Sequence, residues 1–144
     1  MMTRAEYIWI DGTKPIPLVR SKTKIIEKDS EPGIWGFDGS STNQAPGENS
    51  DVVLRPQFVC PDPIRGGDNL LVLCDTLIPE GMAPHPTNTR VLAVAAAEKY
   101  GNAQEMWFGM EQEYTLIKDG WPYGFPPQAY PGPQGRITAA LAPP

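Results

Sequence analysis

Short alternating segments, cut apart by Gly, Pro and Asp turns, fill the first half of the chain and make it mostly β. Glu6-Tyr7-Ile8-Trp9-Ile10 closes at Asp11-Gly12, and Leu18 to Ile26 alternates in the same way, so the two predict a hairpin. Trp35-Gly36-Phe37 is a short apolar strand that breaks at Asp38-Gly39. Two further strands are predicted over Asp51 to Pro56 and Leu70 to Thr76, separated by the turn sequences Pro61-Asp62-Pro63 and Arg65-Gly66-Gly67-Asp68.

From Thr87 to Tyr100 the composition turns to Ala, Val, Leu, Glu and Lys, which predicts one helix. Thr87 or Asn88 is placed to cap its start and Gly101 to end it. Its apolar stripe is expected to pack against a sheet. Trp121 to Gly135 then carries five prolines and three glycines in fifteen residues, so a stiff irregular loop is predicted there.

Between helix and loop, Trp107-Phe108-Gly109-Met110-Glu111-Gln112-Glu113-Tyr114-Thr115-Leu116 sets two carboxylates inside an apolar and aromatic run. Read as a strand, the segment puts Glu111 and Glu113 on one face. Same-face neighbours on a strand lie roughly 6.5–7 Å apart. That is too far to share a proton but suits two neighbouring divalent cations. An ordinary solvent-facing strand is the competing reading.

The 144 residues, 40% of them hydrophobic, are enough for one domain with a core. Twelve Lys and Arg against seventeen Asp and Glu give a net charge of −5, which argues against nucleic acid as a partner. The longest strictly apolar run, Val91 to Ala97, is seven residues, short of the roughly 18 that a membrane span requires. Met1 to Gly12 lacks the features of a signal peptide. A soluble cytoplasmic protein is therefore expected, with Cys60 and Cys74 as reduced, buried thiols.

The Asp38 segment continues through Gly39-Ser40-Ser41-Thr42 to Asp51, rich in groups that bond their own backbone. It reads either as a surface turn or as a polar flap that offers a carboxylate to a cation. His85, the single histidine, lies between two prolines and reads as a loop residue that cannot build a metal site alone. Neither of the common glycine-rich phosphate loops is present.

Taken in order, Tyr7 to Gly12, Trp35 to Thr42, Gln44 to Asp51, Asp62 to Gly67, Leu71 to Thr76, Pro86 to Arg90, Trp107 to Leu116 and Tyr130 to Gly135 resemble glutamine synthetase. The resemblance is to the shorter, eukaryotic-like class that also occurs in bacteria. It implies an α+β chain, with an N-terminal β-grasp domain over residues 1–82. The first strands of an incomplete catalytic domain would follow over 83–135. It implies ATP-dependent ligation of ammonium to glutamate through γ-glutamyl phosphate, with Mg²⁺ or Mn²⁺, in a decamer-like homo-oligomer. By the same resemblance Glu111 ligates the metal on the ATP phosphates and Glu113 the metal nearer the amino acid. Asp38 binds and deprotonates ammonium at a neighbouring subunit's site, with Asp51 supporting its loop.

After Gly135 the resemblance stops. The family continues approximately Pro-Tyr-Tyr-Cys-Gly-Val-Gly-Ala, and losing one base from a suitable coding string for that segment yields the residues found at 136 to 143. Residues 136–144 are therefore expected to be an out-of-frame tail on a truncated chain. Such a chain is expected to be inactive by itself, to bind metal weakly through one carboxylate per ion, and to expose apolar surface prone to aggregation. A β-grasp interaction module that associates with a full-length synthetase without catalysis is the alternative, and a relative that ligates another amine is a third.

Overall fold

The computed structural model describes residues 1–126. The proposed tail at 136–144 and most of the proline-rich loop lie outside the described residues. The chain divides into two compact units, Met1–Met106 and the part from Trp107 onward.

In the first unit β1 (Met2–Ile10) runs antiparallel to β2 (Val19–Glu27), with Met2 opposite Glu27 and Ile10 opposite Val19. The predicted hairpin is therefore present, with a longer connection than a tight turn. Asp11 organises that connection: its buried carboxylate accepts from the Thr13 and Leu18 backbone N–H groups at 2.9 and 2.8 Å and from Arg20 Nε at 2.8 Å. The remaining strands are β3 (Trp35–Asp38), β4 (Asp51–Pro61) and β5 (Leu70–Leu77), and the sheet order is β2-β1-β5-β4-β3. The β1 and β5 strands pair in parallel and the rest are antiparallel.

The β4 strand extends beyond the predicted Pro56, and the reason it survives that proline is a register shift between Pro56 and Phe58. A proline cannot donate to the ladder, so a bulge is where a central strand tolerates one. Asp62 then shapes the return to β5 by accepting from the Ile64 and Arg65 N–H groups and from Arg65 Nη1.

Alternation along β1 buries Ala5, Tyr7 and Trp9, which join Phe37, Val52, Leu54, Val72 and Cys74 in the core. Trp9 on β1 and Phe37 on β3 have ring centroids 4.6 Å apart. These strands are three ladder steps apart, about 14 Å in a flat sheet. The sheet must therefore curl, and the curl brings its two free edges together. Lys22 on β2 donates from Nζ to the Gly36 carbonyl of β3 at 2.9 Å and lies 3.6 Å from the centre of the Trp35 ring.

Helix α1 (Arg90–Ala96) starts later than predicted and passes into a π turn at Ala97–Gly101 and a 3-10 turn at Asn102–Gln104. Neither candidate cap serves. The Thr87 hydroxyl accepts from Gln44 Nε2 at 2.9 Å, and Asn88 Nδ2 donates to the Thr76 carbonyl at 3.1 Å. Tertiary bonds have taken both side chains. Gly101 does not end the helix by a left-handed turn, since its φ is −90°. A Cβ there would lie 2.6 Å from Met106 Cε, the movable end of a flexible side chain. The left-handed stop falls at Glu105. The apolar stripe of α1 is not packed on a sheet: no residue of the helix is buried, and Leu92 is 73% exposed.

From Trp107 to Leu116 the chain forms no strand, and all ten residues are exposed. This corrects the expectation of a Glu-x-Glu strand. A strand needs a neighbouring backbone to complete its hydrogen bonds, and this segment has no ladder partner among the described residues. What does pair is a two-residue hairpin, β6 (Ile117–Lys118) with β7 (Trp121–Pro122), turned by Asp119 and Gly120 at positive φ. Both cysteines are free, Cys74 buried and Cys60 half-buried. No helix among the described residues is long and apolar enough to cross a membrane.

Candidate functional site at the end of β3

Asp38 is the last residue of β3 and caps the 3-10 turn Gly39–Thr42 that follows. Its Oδ1 accepts from the Ser40 backbone N–H at 2.9 Å and from Ser40 Oγ at 2.6 Å. These bonds, Ser40 Oγ first, hold the exposed Asp38 carboxyl below the usual carboxylate range, with a smaller contribution from the Ser50 side chain. The carboxylate is thus ionised throughout the neutral range.

The loop behind Asp38 is fastened at several points. Gly39 donates to the Ser50 carbonyl at 2.7 Å, and a Cβ on it would sit 2.5 Å from Val52 Cγ2. Gly12 donates to the Thr42 carbonyl at 2.9 Å, so close to the loop that a Cβ would lie 2.1 Å from the Asn43 carbonyl oxygen. Gln44 is buried, and its Oε1 accepts from Trp9 Nε1 at 3.2 Å and from Thr42 Oγ1 at 2.9 Å. Its own carbonyl accepts from His85 Nε2 at 2.6 Å. That bond requires the proton on Nε2, and Nδ1 then accepts from the Thr87 N–H at 3.2 Å. His85 is thereby occupied as a clasp on this loop, in accord with its reading as a structural residue.

Asp51 opens β4 directly opposite Asp38 in the ladder. Beside them lies an open depression of about 280 Å³ lined by Trp9, Arg20, Lys22, Phe37, Asp38 and Ser41, where the curled sheet brings β2 near β3. Burial, and then the charge of Lys24, push the Lys22 ammonium below the usual lysine value.

Glu111 and Glu113 lie in the second unit, exposed and without regular structure. Among the described residues no three His, Cys, Asp or Glu side chains are grouped to hold a metal. The described residues therefore do not by themselves assemble a two-metal centre. The sequence singles out Asp38 and Asp51, and it does not single out Ser40 and Gln44, which the structure places around the same loop. The Asp-Gly-Ser spacing was the available signal for Ser40, because an Asp side chain commonly bonds the backbone two residues on. A glutamine in a polar loop carries no comparable signal.

Residues 1–79 match the family model described as glutamine synthetase, beta-Grasp domain. The chain is 64% identical over 135 residues to a glutamine synthetase of Frankia alni, covering 94% of this chain and 38% of that protein. It is 57% identical over 140 residues to one of Streptomyces viridochromogenes, covering 94% and 40%. A chloroplastic glutamine synthetase of Brassica napus is 53% identical over 138 residues, covering 91% and 32%. The chain thus spans about two fifths or less of the length of these relatives.

Proposed function

The chain belongs to the glutamine synthetase family through its β-grasp domain, and from that premise we propose that it serves the ATP-dependent ligation of ammonia to glutamate, with Asp38 as the carboxylate that collects ammonium. The observation that carries this is the ionised Asp38 at the rim of an open depression, with Oδ1 held twice by Ser40 and a smaller contribution from the Ser50 side chain. A fixed carboxylate attracts NH₄⁺ and orders its N–H bonds at no cost of rearrangement. Its lowered basicity makes attraction its main contribution, with proton acceptance secondary.

Residues 83–135 are proposed as the opening of the catalytic domain. Glu111 and Glu113 are proposed as ligands to Mg²⁺ or Mn²⁺ on the ATP and glutamate sides once further strands align them. Asp51 supports the Asp38 loop from β4. In the complete enzyme the flap would serve a neighbouring subunit of a homo-oligomer. By itself the chain is proposed to be inactive, because the residues it contributes do not close a site.

A chimera tests this: residues 1–135 of this chain joined to the remainder of the Frankia alni enzyme. The chimera is expected to make glutamine, and Asp38→Asn to lower kcat/KM for ammonium by roughly 10²-fold or more. An active chimera whose kcat/KM for ammonium is indifferent to Asp38→Asn would overturn the assignment.

A further inference from the structure

Asp38 shares its depression with two cations, Arg20 and Lys22, yet forms an ion pair with neither. Each cation is held elsewhere. Arg20 Nε donates to the buried Asp11 carboxylate at 2.8 Å. Lys22 Nζ donates to the Gly36 carbonyl at 2.9 Å, and the Trp35 ring lies under it at 3.6 Å. An ammonium group over an indole face and against a carbonyl is well satisfied without a carboxylate. On the other side, Ser40 spends both of its donors on a single oxygen, Oδ1, and the Ser50 side chain contributes less to the carboxyl.

We propose that Ser40 and the Trp35–Gly36 clamp on Lys22 act together to keep one oxygen of Asp38 open to an external cation, Ser40 as a positioning residue and the clamp as a guard. Ser40 fixes the carboxylate rotamer, so that Oδ2 faces outward. The clamp keeps the chain's own ammonium group from occupying the place of a free one. That the external cation is ammonium rests on the function proposed above; the arrangement of the carboxylate does not.

The charged groups nearest Asp38 are Asp51 from β4 and Lys22 from β2, both changed in the test, and Arg20, which the buried Asp11 carboxylate holds. The Asp38 side-chain carboxyl is followed by carbon-detected NMR across pH in the full chain and in Ser40→Ala, Ser40→Thr, Lys22→Met and Asp51→Asn. Ser40→Ala should move the Asp38 midpoint to higher pH, because a bond to the ionised form is lost. Ser40→Thr, which keeps the hydroxyl, should restore it. Lys22→Met should move the midpoint less than Ser40→Ala, because Lys22 is not paired with Asp38. Asp51→Asn identifies the second carboxyl resonance and should lower the Asp38 midpoint by removing a like charge.

An unmoved midpoint in Ser40→Ala overturns the role of Ser40. A rise in Lys22→Met as large as that in Ser40→Ala overturns the guard, since it would mean that Lys22 already sits on the carboxylate. In the chimera, Ser40→Ala should raise the ammonium KM and Ser40→Thr recover it. If the NMR pattern holds while Asp38→Asn leaves kcat/KM for ammonium unchanged, the ammonium reading fails and the carboxylate arrangement stands. If Asp38→Asn matters but Ser40→Ala moves nothing, the inference alone fails.

Discussion

The β1 strand and the segment from Trp107 to Leu116 are built alike, each alternating aromatic or aliphatic residues with charged and small ones, yet they end in opposite states. In β1, Tyr7 is fully buried, β2 pairs antiparallel along the whole strand, and β5 pairs in parallel with Ala5 to Ile8. In the other segment Trp107 is 96% and Met110 97% exposed. The difference lies in the neighbours. An alternating pattern prepares two faces, but a strand is completed only when adjacent backbones take up its N–H and C=O groups. The first 77 residues contain all five strands needed to finish one curled sheet. The Glu-x-Glu segment has no such set among the described residues.

The comparison is broken most forcefully by truncating one large side chain in each region. Leu54→Ala, in the fully buried core, should cost about 2–5 kcal/mol in urea unfolding. Trp107→Ala should change the same transition by less than about 0.5 kcal/mol. Comparable losses would mean that the two regions are one cooperative unit.

Glycines sharpen the contrast at the level of single atoms. Gly12→Ala pushes a methyl group into the Asn43 carbonyl and should cost about 1–3 kcal/mol. Gly109 has open space where a Cβ would be, so Gly109→Ala should be nearly neutral. Thermal unfolding of the two variants side by side decides this.

Acid stability separates the sheet further. Burial raises the Asp11 carboxyl, but the Leu18 and Thr13 N–H groups, Arg20 and the Thr13 hydroxyl outweigh it and hold it well below the carboxylate range. A value lower in the folded than in the unfolded chain means that Asp11 stabilises the fold above the unfolded value near 3.9. That stability is lost as pH falls through the folded value. The wild-type unfolding free energy should thus fall below about pH 4, and Asp11→Asn should flatten this limb while lowering stability at neutral pH.

The smallest effect is chemical. Burial pushes the Cys74 thiol up to about 12, so at pH 8 it should resist alkylation until the sheet unfolds. Half-buried Cys60 should be modified first. Equal rates by peptide mass mapping would place Cys74 outside a stable core.

Much of the sheet was legible because its signals are local. Tyr7 and Trp9 alternate with polar residues, and Asp11-Gly12, Pro61-Asp62-Pro63 and Gly66-Gly67 mark the reversals. The sheet order and its curl were not, because nothing local in Trp9 or Phe37 says that these two rings meet across three ladder steps. The helix start was misplaced for a similar reason: Thr87 and Asn88 are good caps in isolation, and bonds to Gln44 and the Thr76 carbonyl claim them first. At the site, Asp38 stood out beside Gly39 and Ser40. The hub at Gln44 and the clasp at His85 depend on partners 35 to 43 residues away in sequence, which no short motif encodes. Glu111 and Glu113 were legible as a motif, but their alignment is a property of a ladder this segment lacks among the described residues.

Native-state amide hydrogen exchange on the full chain tests the division most directly, because it reads each backbone hydrogen bond separately. Strong protection is expected along β1, β4 and β5, with exchange near the unstructured rate from Trp107 to Leu116. Slow exchange at Glu111, Gln112 and Glu113, with protection comparable to β1, would contradict it.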